Sequence, residues 1–204
     1  MDFQLWLTFL GASLLISVSP GAGAITTMSH GIRYGLRNTL PFILGLQLGY
    51  IIQVTVVGIG LGAILAASAV TFEVIKWLGV GYLIWLGYQK FTEKPVPHAL
   101  NKTVELSAHK QAVSALFINL SNPKVTVFLV AFFPQFIDHQ SGKIISQYLV
   151  LGSTVVTVDF FVLLAYAYLG SGLSNLLNNE PLQRIQNRLF GGMYVGVAGV
   201  MAAA

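Results

Sequence analysis

Residues 16–27 read ISVSPGAGAITT, inside a run from residue 3 to residue 32 that carries no Asp, Glu, Lys or Arg. A proline in a helix interior removes a backbone donor, and a glycine there costs about 1 kcal/mol against alanine. A membrane-crossing helix with this sequence breaks where no water can satisfy its backbone. Unwound backbone at that depth is tolerated only where it is buried in protein or lines a polar cavity. Residues 118–123, INLSNP, pose the same problem: Ile16-Ser17-Val18-Ser19 before Pro20 matches Ile118-Asn119-Leu120-Ser121 before Asn122 and Pro123.

The chain has 204 residues, of which 9% are charged and 55% apolar. Soluble domains carry about 25% charged residues, so this composition belongs to a membrane protein. The net charge of +4 rests on a few residues in short connecting stretches, with no basic patch interleaved with aromatics, so nucleic acid is not an expected partner. Without cysteine there are no disulfides, thiolate metal sites or thiol redox chemistry. The histidines at 30, 98, 109 and 139 fall in predicted loops without zinc-site spacing, and no metal or cofactor is expected. Ala22-Gly23-Ala24 resembles a signal-peptidase site. The opening MDFQLW has no basic residue, however, and the apolar run continues past the site, so retention is expected.

A bilayer span needs about 20 mostly apolar residues. The sequence predicts spans near 4–26, 40–67, 74–91, 111–136, 145–170 and 186–204, with a charged, proline-bearing loop at 92–110. Arg33, Arg37, Lys90, Lys94, Lys102, Lys110, Arg184 and Arg188 fall in the odd-numbered loops. Lys143 lies on the other side, and Lys76 just inside a span end. Positive residues mark the cytoplasm, so both termini are expected in the periplasm. Gly79, Tyr82 and Gly87 of span three recur as Gly191, Tyr194 and Gly199 of span six. The expected fold is all-α: two inverted three-helix repeats, residues 1–91 and 111–204, joined by a cytoplasmic loop, with the first helix of each interrupted at Pro20 and Pro123. Inverted repeats with interrupted helices point to the binding site of a secondary transporter.

Pro20 can open a half-helix, where its missing N–H is no loss, and Gly21 and Gly23 let a ligand approach the backbone. Asn122 can cap the helix that Pro123 begins. Two half-helix N-termini, each with about half a positive charge, would converge and bind a carboxylate. The alternative is a pair of proline kinks that serve packing alone. Lys124 and Asp159 lie near the middle of spans four and five. A charge at the bilayer centre costs about 2.5–3.5 kcal/mol on insertion scales, so each is a functional residue by default. Asp159 would bind a substrate ammonium or take up a proton during turnover, and Lys124 would add positive charge for a carboxylate. The alternative is a structural ion pair between them. Ser17, Ser19, Gln47, Gln53, Asn119, Ser121 and Thr157 are candidate polar lining, though the glutamines also suit bonds to a neighbouring helix. Gly45, Gly49, Gly58, Gly60 and Gly62 read as close helix packing, and such faces permit a homodimer. Trp77, Tyr82, Trp85 and Tyr88 read as interfacial or packing residues.

SVSPGAGAITTMSHGIRYG (17–35), GLQLGYIIQVTVVGIGLG (45–62), FEVIKWLGVGYLIWLGYQKF (72–91), INLSNPKVTVFLVAFFPQFI (118–137) and YLVLGSTVVTVDFF (148–161) cover nearly the whole chain outside 92–110. In these stretches the sequence resembles the lysine exporter superfamily, in its resistance-to-homoserine/threonine branch. The resemblance implies inner-membrane export of small neutral amino acids by proton antiport, with Ser19-Pro20-Gly21, Asn122-Pro123-Lys124 and Asp159 on the transport path. Many relatives have Pro-Asn where Ala22 and Gly23 stand here, which weakens any carry-over from lysine or arginine exporters. Two other classes remain: a passive channel, and a membrane enzyme whose sole candidate dyad is Ser19 or Ser121 with Lys124.

Overall fold

The computed structural model describes residues 2–19, 21–67, 69–93, 107–138, 143–172 and 180–203. Within them every regular element is helical. Helix α1 spans Phe3–Val18 and α2 spans Ala22–Ala67. They are followed by α3 (Ala69–Thr92), α4 (Ala108–Leu120), α5 (Pro123–Val127), α6 (Ile144–Gly172) and α7 (Glu180–Ala203). After α5 the chain widens into a π-helical turn over Phe128–Phe132 and tightens into a 3₁₀ turn over Phe133–Phe136.

Three sequence features shape these elements. Asp2 caps α1, and Ser107 caps α4 through Lys110 N at 3.4 Å, so α4 starts inside the stretch expected to be loop. Helix α2 is two helices merged across Gly35, whose φ of 74° and ψ of 170° only glycine adopts without strain. That break separates residues 22–34 from 36–67. His30 and His109 therefore stand in helices, against the loop expectation, because the glycine signals around His30 act only at Gly35. His30 stacks on Phe42 with ring centroids 4.1 Å apart. His98 and His139 lie outside the described residues.

Among the described residues two helices, Ala22–Gly60 and Ile144–Ser171, are long and apolar enough to cross a membrane. A third candidate is the pair Ala108–Leu120 and Pro123–Phe136, bent by 49° at the break.

Helix α1 packs on α6, α4 on α2, α2 on α6, and α3 on α7. In lipid, apolar burial does not drive helices together, so close backbone approach must. A Cβ on Gly45 would overlap the carbonyl of Ala112, and one on Gly31 would overlap Ala167. Two apolar clusters result. One gathers Phe9, Tyr50, Phe128, Phe132, Phe133, Phe136 and Leu151, with Phe9 and Phe133 edge to face at 5.5 Å. The other gathers Met28, Phe42, Ile43, Leu46, Ala115 and Ala167. Ile16 and Val125 belong to the first, and Ala24 and Leu163 to the second. All but Ile16 of these four border one polar cleft.

Candidate functional site

The cleft begins with a backbone deficit. In an α-helix the carbonyl of residue i accepts from the N–H of residue i+4. Residue i+4 from Ile16 is Pro20, and from Asn119 it is Pro123, and neither has an N–H to give. Side chains from elsewhere donate to both carbonyls, and Asn119 O also accepts from Asn122 N at 2.9 Å. Lys124 Nζ donates to Ile16 O at 2.8 Å and to Ser19 O at 2.7 Å. Gln53 Nε2 donates to Asn119 O at 2.5 Å. Helix α1 ends at Val18 with Ser19 as its C-cap, and α4 ends at Leu120 with Ser121 as its C-cap, so the two motifs break in the same register.

Further bonds hold the first break from two sides. Tyr166 Oη of α6 donates to Val18 O at 2.6 Å, and Ser19 Oγ donates to Tyr194 Oη of α7 at 2.5 Å. Ser19 is thus engaged by Tyr194 through its hydroxyl and by Lys124 through its carbonyl, and no Ser19 Oγ–Lys124 dyad forms. At the second break Asn122 Oδ1 accepts from Lys124 N at 3.1 Å, the expected cap for the helix that Pro123 opens. Asn119 Nδ2 donates to Leu46 O at 2.5 Å and ties α4 to α2. Pro20 itself lies outside the described residues. Pro123 is the exposed first residue of α5.

Ser17, Gly21, Gly23, Leu46, Asn119, Asn122, Lys124 and Asp159 line the cleft, which is narrow and partly open to the outside. Gly21 is the close wall: a Cβ there would stand 3.2 Å from both Nζ and Cε of Lys124. Asp159 Oδ2 accepts from Gln47 Nε2 at 2.8 Å. Lys124 and Asp159 border the same cleft, yet they do not form an ion pair with each other, as Glu73–Lys76, Lys90–Glu93 and Glu180–Arg184 do. The alternative, a structural Lys124–Asp159 bridge, is not closed, because the ammonium is held by the end of α1 and the carboxylate by α2. Lys124 has three N–H donors and spends two on carbonyls, so one remains for a ligand. Beside Asp159, Gln47 Oε1 is buried with no partner among the described residues.

Nine of the ten predicted site residues are described; six of them, Gly21, Gly23, Asn119, Asn122, Lys124 and Asp159, line this cleft, and Gln47 bonds to Asp159. Ser19 stands behind Lys124, and Pro123 borders the neighbouring cavity. Ser121 and Thr157, also offered as lining, are exposed away from it.

That neighbouring cavity is larger, about 1090 Å³ including its open side. It shares Gly21, Asn122 and Lys124 with the cleft and runs along Tyr82, Trp85, Leu86, Tyr194, Lys90 and Glu93. Sequence reading missed the parts played by Tyr166, Lys90 and Glu93, and took Tyr194 only as a repeat counterpart of Tyr82. Tyr166 stands seven residues after Asp159, two turns along one helix face, which was an available signal.

Broken apolar helices that meet at a polar cleft define a class of membrane protein, the translocators of small solutes. The chain belongs to the family described as LysE type translocator, whose model matches residues 14–204. It is 41% identical over its whole length to an uncharacterized membrane protein of Vibrio cholerae, covering 99% of that protein. It is 39% identical to the homoserine/homoserine lactone efflux protein of Salmonella typhi, covering all of this chain and 98% of the relative. To a leucine efflux protein of an Enterobacter strain it is 26% identical, over 97% of this chain and 94% of the relative. No solved structure matches the chain.

Proposed function

We propose that the protein exports small neutral amino acids of the homoserine and threonine type, and homoserine lactone, across the bacterial inner membrane by proton antiport. One observation carries the reading: Lys124 and Asp159, opposite charges, border one cleft at the broken helices without neutralising each other. That arrangement complements a zwitterion. The substrate carboxylate takes the remaining donor of Lys124 and the free N–H groups that open α2 near Gly21 and Gly23. The ammonium goes to Asp159, beside Gln47. A proton arriving at Asp159 neutralises the carboxylate, releases the ammonium and favours return of the carrier. A lactone lacks the free carboxylate and presents its carbonyl to the same donors.

The proposed architecture is six spans in two inverted repeats, residues 1–91 and 111–204, with the connecting loop in the cytoplasm and both termini in the periplasm. Three observations support it. Both motifs break at matching residues, the carbonyl four residues before each proline accepts a side-chain N–H, and the packing of α1 on α6 mirrors that of α4 on α2. The glycine contacts are less symmetric: Gly87 meets Gly191, whereas Gly199 faces open space. In this orientation the larger cavity opens beside Lys90 and Glu93 on the cytoplasmic side, as an exporter's loading state requires.

The test is counterflow in vesicles holding the purified protein, with labelled homoserine, threonine and leucine under imposed pH gradients. The expected result is exchange stimulated by solute on the far side, with accumulation driven by the gradient. Flux that continues unchanged when the gradient is collapsed, without far-side stimulation, assigns a channel instead.

A further inference from the structure

The larger cavity holds a second pair of opposite charges. Lys90 and Glu93, one helical turn apart near the end of α3, form an ion pair, and both border this cavity. The Lys90 side chain is largely shielded there, at 12% exposure, while Glu93 is more open at 37%. Tyr82, Trp85 and Leu86 on the same helix, with Tyr194 from α7, supply an aromatic and apolar wall. Asn187 of α7 donates to Glu93 O at 3.3 Å and fixes this end of α3 against its neighbour.

Two cation–anion couples therefore border adjoining cavities, Lys90 with Glu93 the larger and Lys124 with Asp159 the smaller, with Gly21, Asn122 and Lys124 lining both. An ion pair within one helix turn, in contact with water, is weak and easily opened. A zwitterion can open it without net loss, because its carboxylate takes Lys90 and its ammonium takes Glu93, and two charge-assisted contacts replace one. The outer couple is closed on itself, whereas the inner couple is held apart by α1 and α2.

We infer that Lys90 and Glu93, with the wall of Tyr82 and Trp85, form an outer loading station that binds the amino-acid zwitterion before it moves to Lys124 and Asp159. The inference rests on the exporter reading above and assigns it an entry step. The carboxylate passes from Lys90 to Lys124, the ammonium passes from Glu93 to Asp159, and the side chain slides along the aromatic wall. The station exists on one face of the membrane only, so it acts on loading from that face.

Labelled homoserine is the probe, in counterflow with inside-out and right-side-out vesicles carrying the full-length protein. Lys90→Met and Glu93→Gln are each expected to raise the half-saturating concentration at the Lys90 face at least fivefold. The value at the opposite face should stay within twofold, which also shows that the variants fold. A change of less than twofold at the Lys90 face overturns the station, as does an equal loss at both faces, which would assign the pair to helix stability. Asp159→Asn in the same vesicles keeps the two ideas apart: if it transports normally the exporter mechanism falls, whatever Lys90 does.

Discussion

Lys124 Nζ donates at 2.8 Å to the carbonyl of Ile16, the acceptor that Pro20 has no N–H to satisfy. A residue that opens one half-helix thus completes the hydrogen bonding at the end of another. The charge is kept by the fold as well as by any ligand. Losing it leaves Ile16 O and Ser19 O without donors, at about 1–3 kcal/mol for each buried group. Lys124→Met should therefore abolish efflux and also lower the thermal midpoint of the detergent-solubilised protein. Tyr166→Phe, which strips one donor from Val18 O, should lower the midpoint by less and leave part of the transport. Equal midpoints for Lys124→Met and the parent protein would show that the ammonium does not hold the break.

Gly21 tests the cleft without removing a charge. A methyl group there would sit 3.2 Å from Lys124 Nζ, tighter than ordinary contact, and would push the ammonium off its position. Gly21→Ala should raise the half-saturating substrate concentration several-fold while the melting temperature changes little. An unchanged concentration dependence would remove Gly21 from the site.

The helix crossings make a sharper demand on glycine. At Gly45 any Cβ overlaps the backbone of Ala112, so α2 and α4 must move apart. Gly45→Ala should destabilise by about 1–3 kcal/mol, as overpacking does. Gly60 has nothing within 4 Å of its would-be Cβ. Gly60→Ala should be neutral or stabilising by up to about 1 kcal/mol, from helix propensity alone. Thermal unfolding in one detergent compares them directly, and similar midpoints would contradict the close α2–α4 crossing.

The helix breaks were legible because proline and glycine act locally: the missing N–H at Pro20 and Pro123 interrupts the helix wherever its neighbours lie. Lys124 and Asp159 stood out because charge in an apolar run is costly. Their separation was not legible, because Lys124 is held by carbonyls of another helix and Asp159 by Gln47, contacts that exist only after folding. A tyrosine on an apolar helix reads as packing, and where the hydroxyls of Tyr166 and Tyr194 point depends on the neighbouring helix end. The first loop, expected over about 26–40, narrows to a single break at Gly35, and the π turn at Phe128–Phe132 was missed, for a similar reason. A single glycine or a phenylalanine run fits a straight helix equally well until its neighbours bend it.

The central claim is that Asp159 exchanges its hold on the substrate ammonium for a proton. Asp159→Asn keeps an acceptor for Gln47 and removes the charge. In vesicles with an imposed pH gradient, the variant should no longer accumulate labelled homoserine against its concentration gradient. Accumulation as steep as that of the unaltered protein would contradict the account.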